Sequence, residues 1–224
     1  MNRYESEWLD LRRMDNMELM TQFPDKHFDL AIVDPPYGIG AEQGTNRASR
    51  SQFSDKKYGW DSKPPSVDYY LELMRVSKNQ IIWGANHFVQ DIPNANSKHW
   101  IIWDKLNPDR CFADCELAWA SRMDNARIFK SARVQELNRD DGGKIHPTQK
   151  PVALYRWLLA NYAKPGQKIL DTHLGSGSIA IACHYARLHL TACELDEDYF
   201  AASVARIKRE TAQETFDFSA AEAS

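Results

Sequence analysis

The chain has 224 residues, 43% hydrophobic and 26% charged, with a formal net charge of −3. That length suits one compact domain with a sizeable core, and the composition excludes a disordered or fibrous chain. No run approaches the ~20 apolar residues of a membrane span, and the opening MNRYESEWLD mixes charges without the apolar core of a secretory signal, so a cytoplasmic protein is expected.

Taken in chain order, short apolar runs alternate with amphipathic stretches. A strand is expected at 8–13, followed by RRMDNMELM with Asp15, and a second at 28–33, which runs into Asp34-Pro35-Pro36-Tyr37. Segment 41–65 carries Arg47, Arg50, Lys56, Lys57 and Lys63 against Glu42, Asp55 and Asp61. A helix at 68–76 presents Tyr70, Leu73 and Met74 on one side. Strands follow at 79–83, 99–103 and 115–120. The last two have no helix between them, which predicts an antiparallel edge. Segment 121–145 is again basic, with Arg122, Arg127, Lys130, Arg133, Arg139 and Lys144 against four acids. These two segments read equally as solvated loops or as surfaces that meet phosphates.

In the C-terminal third, Pro151 stands where the first turn of a helix at 152–163 tolerates proline, and Pro165-Gly166 closes it. A strand at 168–170 leads through Gly175-Ser176-Gly177 into a helix at 179–187. A strand at 189–193 ends in Glu194, and a helix at 196–209 is capped by Asp196. Residues 211–224 form an Ala- and Glu-rich tail expected to fray. Cys111, Cys115, Cys183 and Cys193 form no CxxC pair, which favours reduced thiols over a zinc site. The sum is a single domain over 1–210: a doubly wound, mostly parallel seven-stranded sheet, Rossmann-like, with an antiparallel edge.

In such a sheet, ligands bind at the carboxyl ends of the strands, and unusual residues stand there. Residues before a proline are held extended, so Asp34 and Pro35 form a stiff strand end that offers a carboxylate beside a free carbonyl, followed by the Tyr37 ring. A chance DPPY in a chain this long is roughly a one-in-a-thousand event. The arrangement suits methylation of an exocyclic amine. If Asp34 and the Pro35 carbonyl accept from the NH₂ group, its delocalised lone pair is freed to attack a methyl sulfonium. Tyr37 then stacks on a base lifted out of its duplex. The competing reading is an exposed aspartate in a proline-rich turn.

Gly175-Ser176-Gly177 lets backbone approach a ligand and opens a helix whose N-terminus favours an anion. A methionine-type carboxylate fits there, with Asp171 accepting from the ammonium and Glu194 from ribose hydroxyls. The same residues also match a dinucleotide fingerprint, so a nicotinamide oxidoreductase stays open, although Asp171–Leu174 intervene before the glycines. Lys150, in His146–Pro151 (HPTQKP), stands at a helix entrance where it could pair with a cofactor carboxylate or face solvent.

Together DPPY, HPTQKP, DTHLGSGS and the acid of ACELDEDYF resemble the amino-methyltransferases of DNA in their permuted, β-class order, over nearly the whole chain including RVSKNQIIWGANHF at 75–88. The resemblance implies S-adenosylmethionine as cofactor, DNA as partner and no metal. It is closest to the adenine-N6 type, because cytosine-N4 members more often begin the tetrapeptide with Ser. It also implies that Asp15 contacts the cofactor's adenine, while Phe200 packs either near that ring or in the core. Two departures stand out: Thr172-His173 replaces the usual Pro-Phe, and only 121–145 is available for target recognition. A homodimer would compensate for so small a reader, and a cognate restriction enzyme is an option for this class. A cytosine-N4 or RNA methyltransferase and a silent DNA-binding module are the remaining alternatives.

Overall fold

A computed structural model of the protein describes residues 2–39, 61, 63–96, 98–106, 113–122, 124–131, 145, 146 and 148–212. Nine strands form one sheet in chain order β1 (Arg3–Glu5), β2 (Leu9–Arg13), β3 (Phe28–Val33), β4 (Ser77–Trp83), β5 (Trp100–Asp104), β6 (Cys115–Ala120), β7 (Arg127–Lys130), β8 (Lys168–Asp171) and β9 (His189–Glu194). Their order across the sheet is β1-β2-β9-β8-β3-β4-β6-β5-β7. The helices are α1 (Asn16–Thr21), α2 (Val67–Val76), α3 (Val152–Tyr162), α4 (Ser178–Ala186) and α5 (Glu197–Thr211).

All seven expected strands are present within a few residues of their predicted bounds. The central block β2-β9-β8-β3-β4 is parallel throughout. β6 pairs antiparallel with both β4 and β5, as the helix-free connection requires. Two short edge strands extend the expected seven. β1 hooks back antiparallel onto β2, and β7, inside the segment expected to be a recognition loop, pairs parallel with β5. Both are short and largely exposed, with burial limited to one residue each, so neither carries the apolar alternation that betrays a strand. The six-residue α1 was not legible for a related reason: it is held by a cap rather than by a long apolar stripe, with Asp15 accepting from the Met17 and Glu18 amides.

Alternate side chains of the strands enter two cores. Leu30 and Ile32 of β3 pack in the layer covered by α3, α4 and α5, while Phe28, Ala31 and Val33 pack in the layer beneath α1 and α2. The doubly wound arrangement follows from burying both faces. β3 and β8 are neighbours whose following helices depart to opposite sides, since β8 leads to β9 and β3 leads to β4. Their carboxyl ends therefore frame the crevice at the switch point, where α/β sheets bind ligands. The tail from 213 onward, most of 41–65, and residues 132–144 with their expected DNA-facing charges lie outside the described residues. Among those described, no helix is long and apolar enough to cross a membrane, and Cys115, Cys183 and Cys193 are free thiols.

Candidate active site

A cavity of about 530 Å³ opens at the carboxyl ends of β2, β3, β8 and β9, within the ~300–1,000 Å³ usual for small-ligand sites. It brings together residues far apart in sequence: Asp15, Asp34, Lys150, Gly175 and Glu194 all line it. DPPY forms one wall and the Gly-rich turn another.

The DPPY wall is tightly determined. The Tyr37 hydroxyl donates to Asp34 Oδ1 at 2.7 Å, and Lys150 Nζ donates to Asp34 Oδ2 at 2.5 Å and to the Tyr37 hydroxyl oxygen at 3.1 Å. Tyr37 is stacked on His87, with ring centroids 5.4 Å apart. The ring also presses so close to Gly84 that a Cβ there would overlap it. Gly84 has φ +70° besides, so a side chain is excluded twice. The backbone beyond is pinned by Asp61, a buried residue whose Oδ1 accepts from the Tyr37 amide at 2.6 Å and the Gly38 amide at 2.8 Å. Burial raises the Asp34 carboxyl above its ordinary value, with Lys150 offsetting part of the effect. The Tyr37 phenol is pushed well up by burial and by Asp34, so it stays a donor.

Lys150 thus stands at the DPPY wall, where the sequence left open a cofactor carboxylate or solvent as its partner. Its ammonium is also ion-paired with Glu116 Oε2 of β6 at 3.1 Å. An ammonium 2% exposed settles where carboxylates are nearest, although the contact with Glu116 Oε2 is an ion pair without hydrogen-bond geometry. Glu116 in turn binds Lys105, Nζ to Oε1, at 2.7 Å. Sequence reasoning passed over both residues. The available signal was an acid inside the apolar strand CELAWA.

Asp171 directly precedes the lining residues Thr172–Ser176 of the opposite wall but does not itself line the cavity; it is 3% exposed and accepts from the His173 amide at 3.0 Å. Burial pushes its carboxyl up to about 8, and among the described residues no cationic side chain is ion-paired with it. A buried carboxylate without a counter-cation suits an ammonium ligand. Glu194 accepts from the Gly175 amide through Oε2 and from the Asp196 amide through Oε1, each at 3.0 Å, and burial raises its carboxyl as well. Asp15 lines the cavity while capping α1. Thr172 and His173 make a polar relay in place of the apolar pair: Tyr69 Oη lies 2.6 Å from Thr172 Oγ1, which lies 2.9 Å from His173 Nδ1, and His173 Nε2 lies 3.1 Å from Asn16 Nδ2. Burial holds His173 down to about 4, so its imidazole is neutral near pH 7.

Besides Asp171, two more expected cofactor residues do not line the cavity. Phe200 is 1% exposed and belongs to the hydrophobic core beneath α5. Its neighbour Tyr199 lines the cavity instead, packed edge-on to His146 at 4.6 Å, because adjacent helical residues face different directions. Gly177 is absent from the cavity lining, whereas Gly175 and Ser176 belong to it. Gly177 has φ +75°, and a Cβ there would meet Ile207 Cδ1 at 2.8 Å. It lets α4 and α5 approach each other.

Comparison with known proteins gives a consistent picture. A family model described as DNA methylase matches residues 70–205. The chain is 24% identical over 240 aligned residues to the type II methyltransferase M.HinfI of Haemophilus influenzae, covering 87% of this chain and 67% of that one. Among solved structures, the M1.HpyAVI–SAM complex superposes with TM-score 0.57 at 19% identity, covering 89% of this chain and 98% of that one. The cytosine-N4-specific PvuII DNA methyltransferase does so with TM-score 0.57 at 14% identity, covering 91% and 90%. The crevice geometry and a family match over more than half its length lead to one conclusion: the chain belongs to the DNA methylase family.

Proposed function

We propose that this S-adenosylmethionine-dependent DNA methyltransferase acts on the N6 amine of adenine, with Asp34, Pro35, Pro36 and Tyr37 as its catalytic loop. The observation that carries the reading is the placement of Asp34 in one cavity with Glu194 and the Gly175-Ser176 turn. One wall suits an amine acceptor and the other an amino-acid-like cofactor.

The fit to S-adenosylmethionine rests on chemistry the cavity already presents. Asp171, buried beside the lining residue Thr172 and with no cation paired to it among the described residues, would take the cofactor's ammonium. Gly175 and Ser176 would admit its carboxylate to the backbone near the start of α4. Glu194 and Asp15 would face the ribose and adenine. When bound, the cofactor supplies a methyl group on a sulfonium that departs as a neutral thioether. Asp34 and the Pro35 carbonyl accept hydrogen bonds from the NH₂ group, which localises the nitrogen lone pair toward that methyl group. Tyr37 holds Asp34 through its phenol and offers its ring to the extruded base. As the N–CH₃ bond forms, the nitrogen sheds one proton, for which Asp34 is the nearest base.

The similarity to a cytosine-N4-specific enzyme keeps that amine as the second reading, since the same loop geometry serves both bases. Purified protein, S-adenosylmethionine and unmethylated mixed-sequence DNA, followed by nucleoside mass spectrometry, decide between them. N6-methyladenine that disappears with Asp34→Ala, while calorimetry shows cofactor binding retained, supports the proposal. N4-methylcytosine transfers the mechanism to the other base, and substantial activity in Asp34→Ala removes Asp34 from its role.

A further inference from the structure

From the cavity inward, four buried or half-buried charges alternate in sign: Asp34, Lys150, Glu116 and Lys105, joined by contacts of 2.5, 3.1 and 2.7 Å. The members come from four separate segments: the loop after β3, the HPTQKP segment, β6 and the end of β5. Glu116 does not line the cavity. Among the described residues, its ion pair with Lys150 ties it to the DPPY wall. An alternating chain with equal numbers of each sign leaves no uncompensated charge away from water, which is the condition for burying charges without a large penalty.

The proposed reaction changes that balance. To accept hydrogen bonds from a base amine, Asp34 must turn part of its accepting capacity away from Lys150. A buried ammonium with Asp34 as its only carboxylate would then either stay clamped there, shutting out the amine, or give up a proton. In the second case Asp34 could take up that proton and become a donor. With Glu116 present, Lys150 keeps a full counter-charge while Asp34 turns to the base, and Lys105 neutralises Glu116 from behind.

We propose that Glu116 is a positioning residue for methyl transfer, holding the Lys150 ammonium charged and in place while Asp34 engages the target amine. The proposal rests on the reading of Asp34 as the amine acceptor. The titration behaviour agrees with the geometry. Burial disfavours the Lys150 ammonium, but Asp34 and Glu116 outweigh it and hold the group above the usual lysine value. Burial likewise disfavours the Glu116 carboxylate, but Lys150 and Lys105 bring it down to about 2. The other groups around Lys150 are the Tyr37 phenol, the Trp83 ring of β4 at 5.3 Å and, at longer range, Asp171 of β8. Tyr155 of α3 faces both Asp34 and Glu116. None of these supplies a second close carboxylate.

The test is kcat against pH for the full chain with Glu116→Gln, which keeps shape and removes charge. Thermal unfolding and S-adenosylmethionine calorimetry run in parallel to report on fold and cofactor site. Removing a carboxylate lowers the Lys150 pKa, so the high-pH limb of kcat should move down by about one unit or more. kcat should fall ~10-fold or more with cofactor affinity unchanged. Glu116→Asp, whose carboxylate sits one methylene farther back, should fall between wild type and Glu116→Gln, and it carries the same test should the Gln variant fail to fold. An unchanged kcat overturns the proposal, and so does a loss of kcat with the limb unmoved, which would make Glu116 purely structural. A wild-type protein that methylates no DNA base overturns the Asp34 reading and this inference with it. An active wild type with an indistinguishable Glu116→Gln overturns the inference alone.

Discussion

Asp171 and Glu194 are both acids at strand ends, yet their surroundings differ. Among the described residues Asp171 has one backbone donor and no paired cation, so burial carries its pKa to about 8. A carboxyl whose folded pKa is raised binds its proton more tightly when folded, so the stability this gives the unliganded protein is lost as pH rises toward about 8. Cofactor binding runs the other way. An ammonium ligand favours the anion, so binding releases a proton, and affinity should tighten with rising pH by up to ~10-fold per unit until it levels near that pKa. Calorimetry in two buffers of different ionisation enthalpy checks this, and Asp171→Asn should bind weakly with no pH slope. Glu194→Ala removes hydrogen bonds to a charged acceptor, each worth ~1.5–3 kcal/mol. Its cofactor affinity should fall at least tenfold, and an unchanged dissociation constant would remove Glu194 from the site.

At the scale of elements, the Gly-rich turn serves two purposes that its sequence does not separate. Gly175 and Ser176 face the cavity, while Gly177 lets α5 lie against the start of α4. The same junction is tied by Arg206 of α5, 1% exposed, which donates to Ser178 Oγ at 2.9 Å and to the Ser176 carbonyl at 3.1 Å. Gly177→Ala adds a Cβ in the left-handed region against Ile207 and should destabilise the fold by ~1–3 kcal/mol, read as a lowered Tm. Because α5 braces the turn from behind, cofactor affinity should fall with it. Full retention of both would disprove the packing role. The long helices and central strands were legible because each buries one stripe or one face. The short edge strands and α1 were not, because backbone pairing and a cap hold them more than apolar periodicity does.

Over the whole molecule, the cavity draws on four parallel strands and the HPTQKP segment, so a cofactor bound there would link elements separated by the length of the chain. A ligand that binds only the folded state stabilises it by ~2.7 kcal/mol at a hundredfold excess over Kd. For a chain of this size that is a rise in Tm of ~5–10 °C, measurable by differential scanning fluorimetry with S-adenosylmethionine. Absence of any shift at saturating cofactor would count against the cavity as its site.

What the sequence by itself determined is the family, the α/β class, the seven principal strands and the strand-end acids, because strand periodicity and the DPPY and glycine motifs are local properties. Only the tertiary structure decided which acid faces which cation. Lys150 lies 116 residues from Asp34 in the chain, yet it pairs with that acid and with Glu116. Phe200 turns into the core while Tyr199 faces the cavity. Contacts between distant segments are fixed by how the sheet brings strand ends together, and desolvation then favours pairing of the charges buried there, as at Lys150.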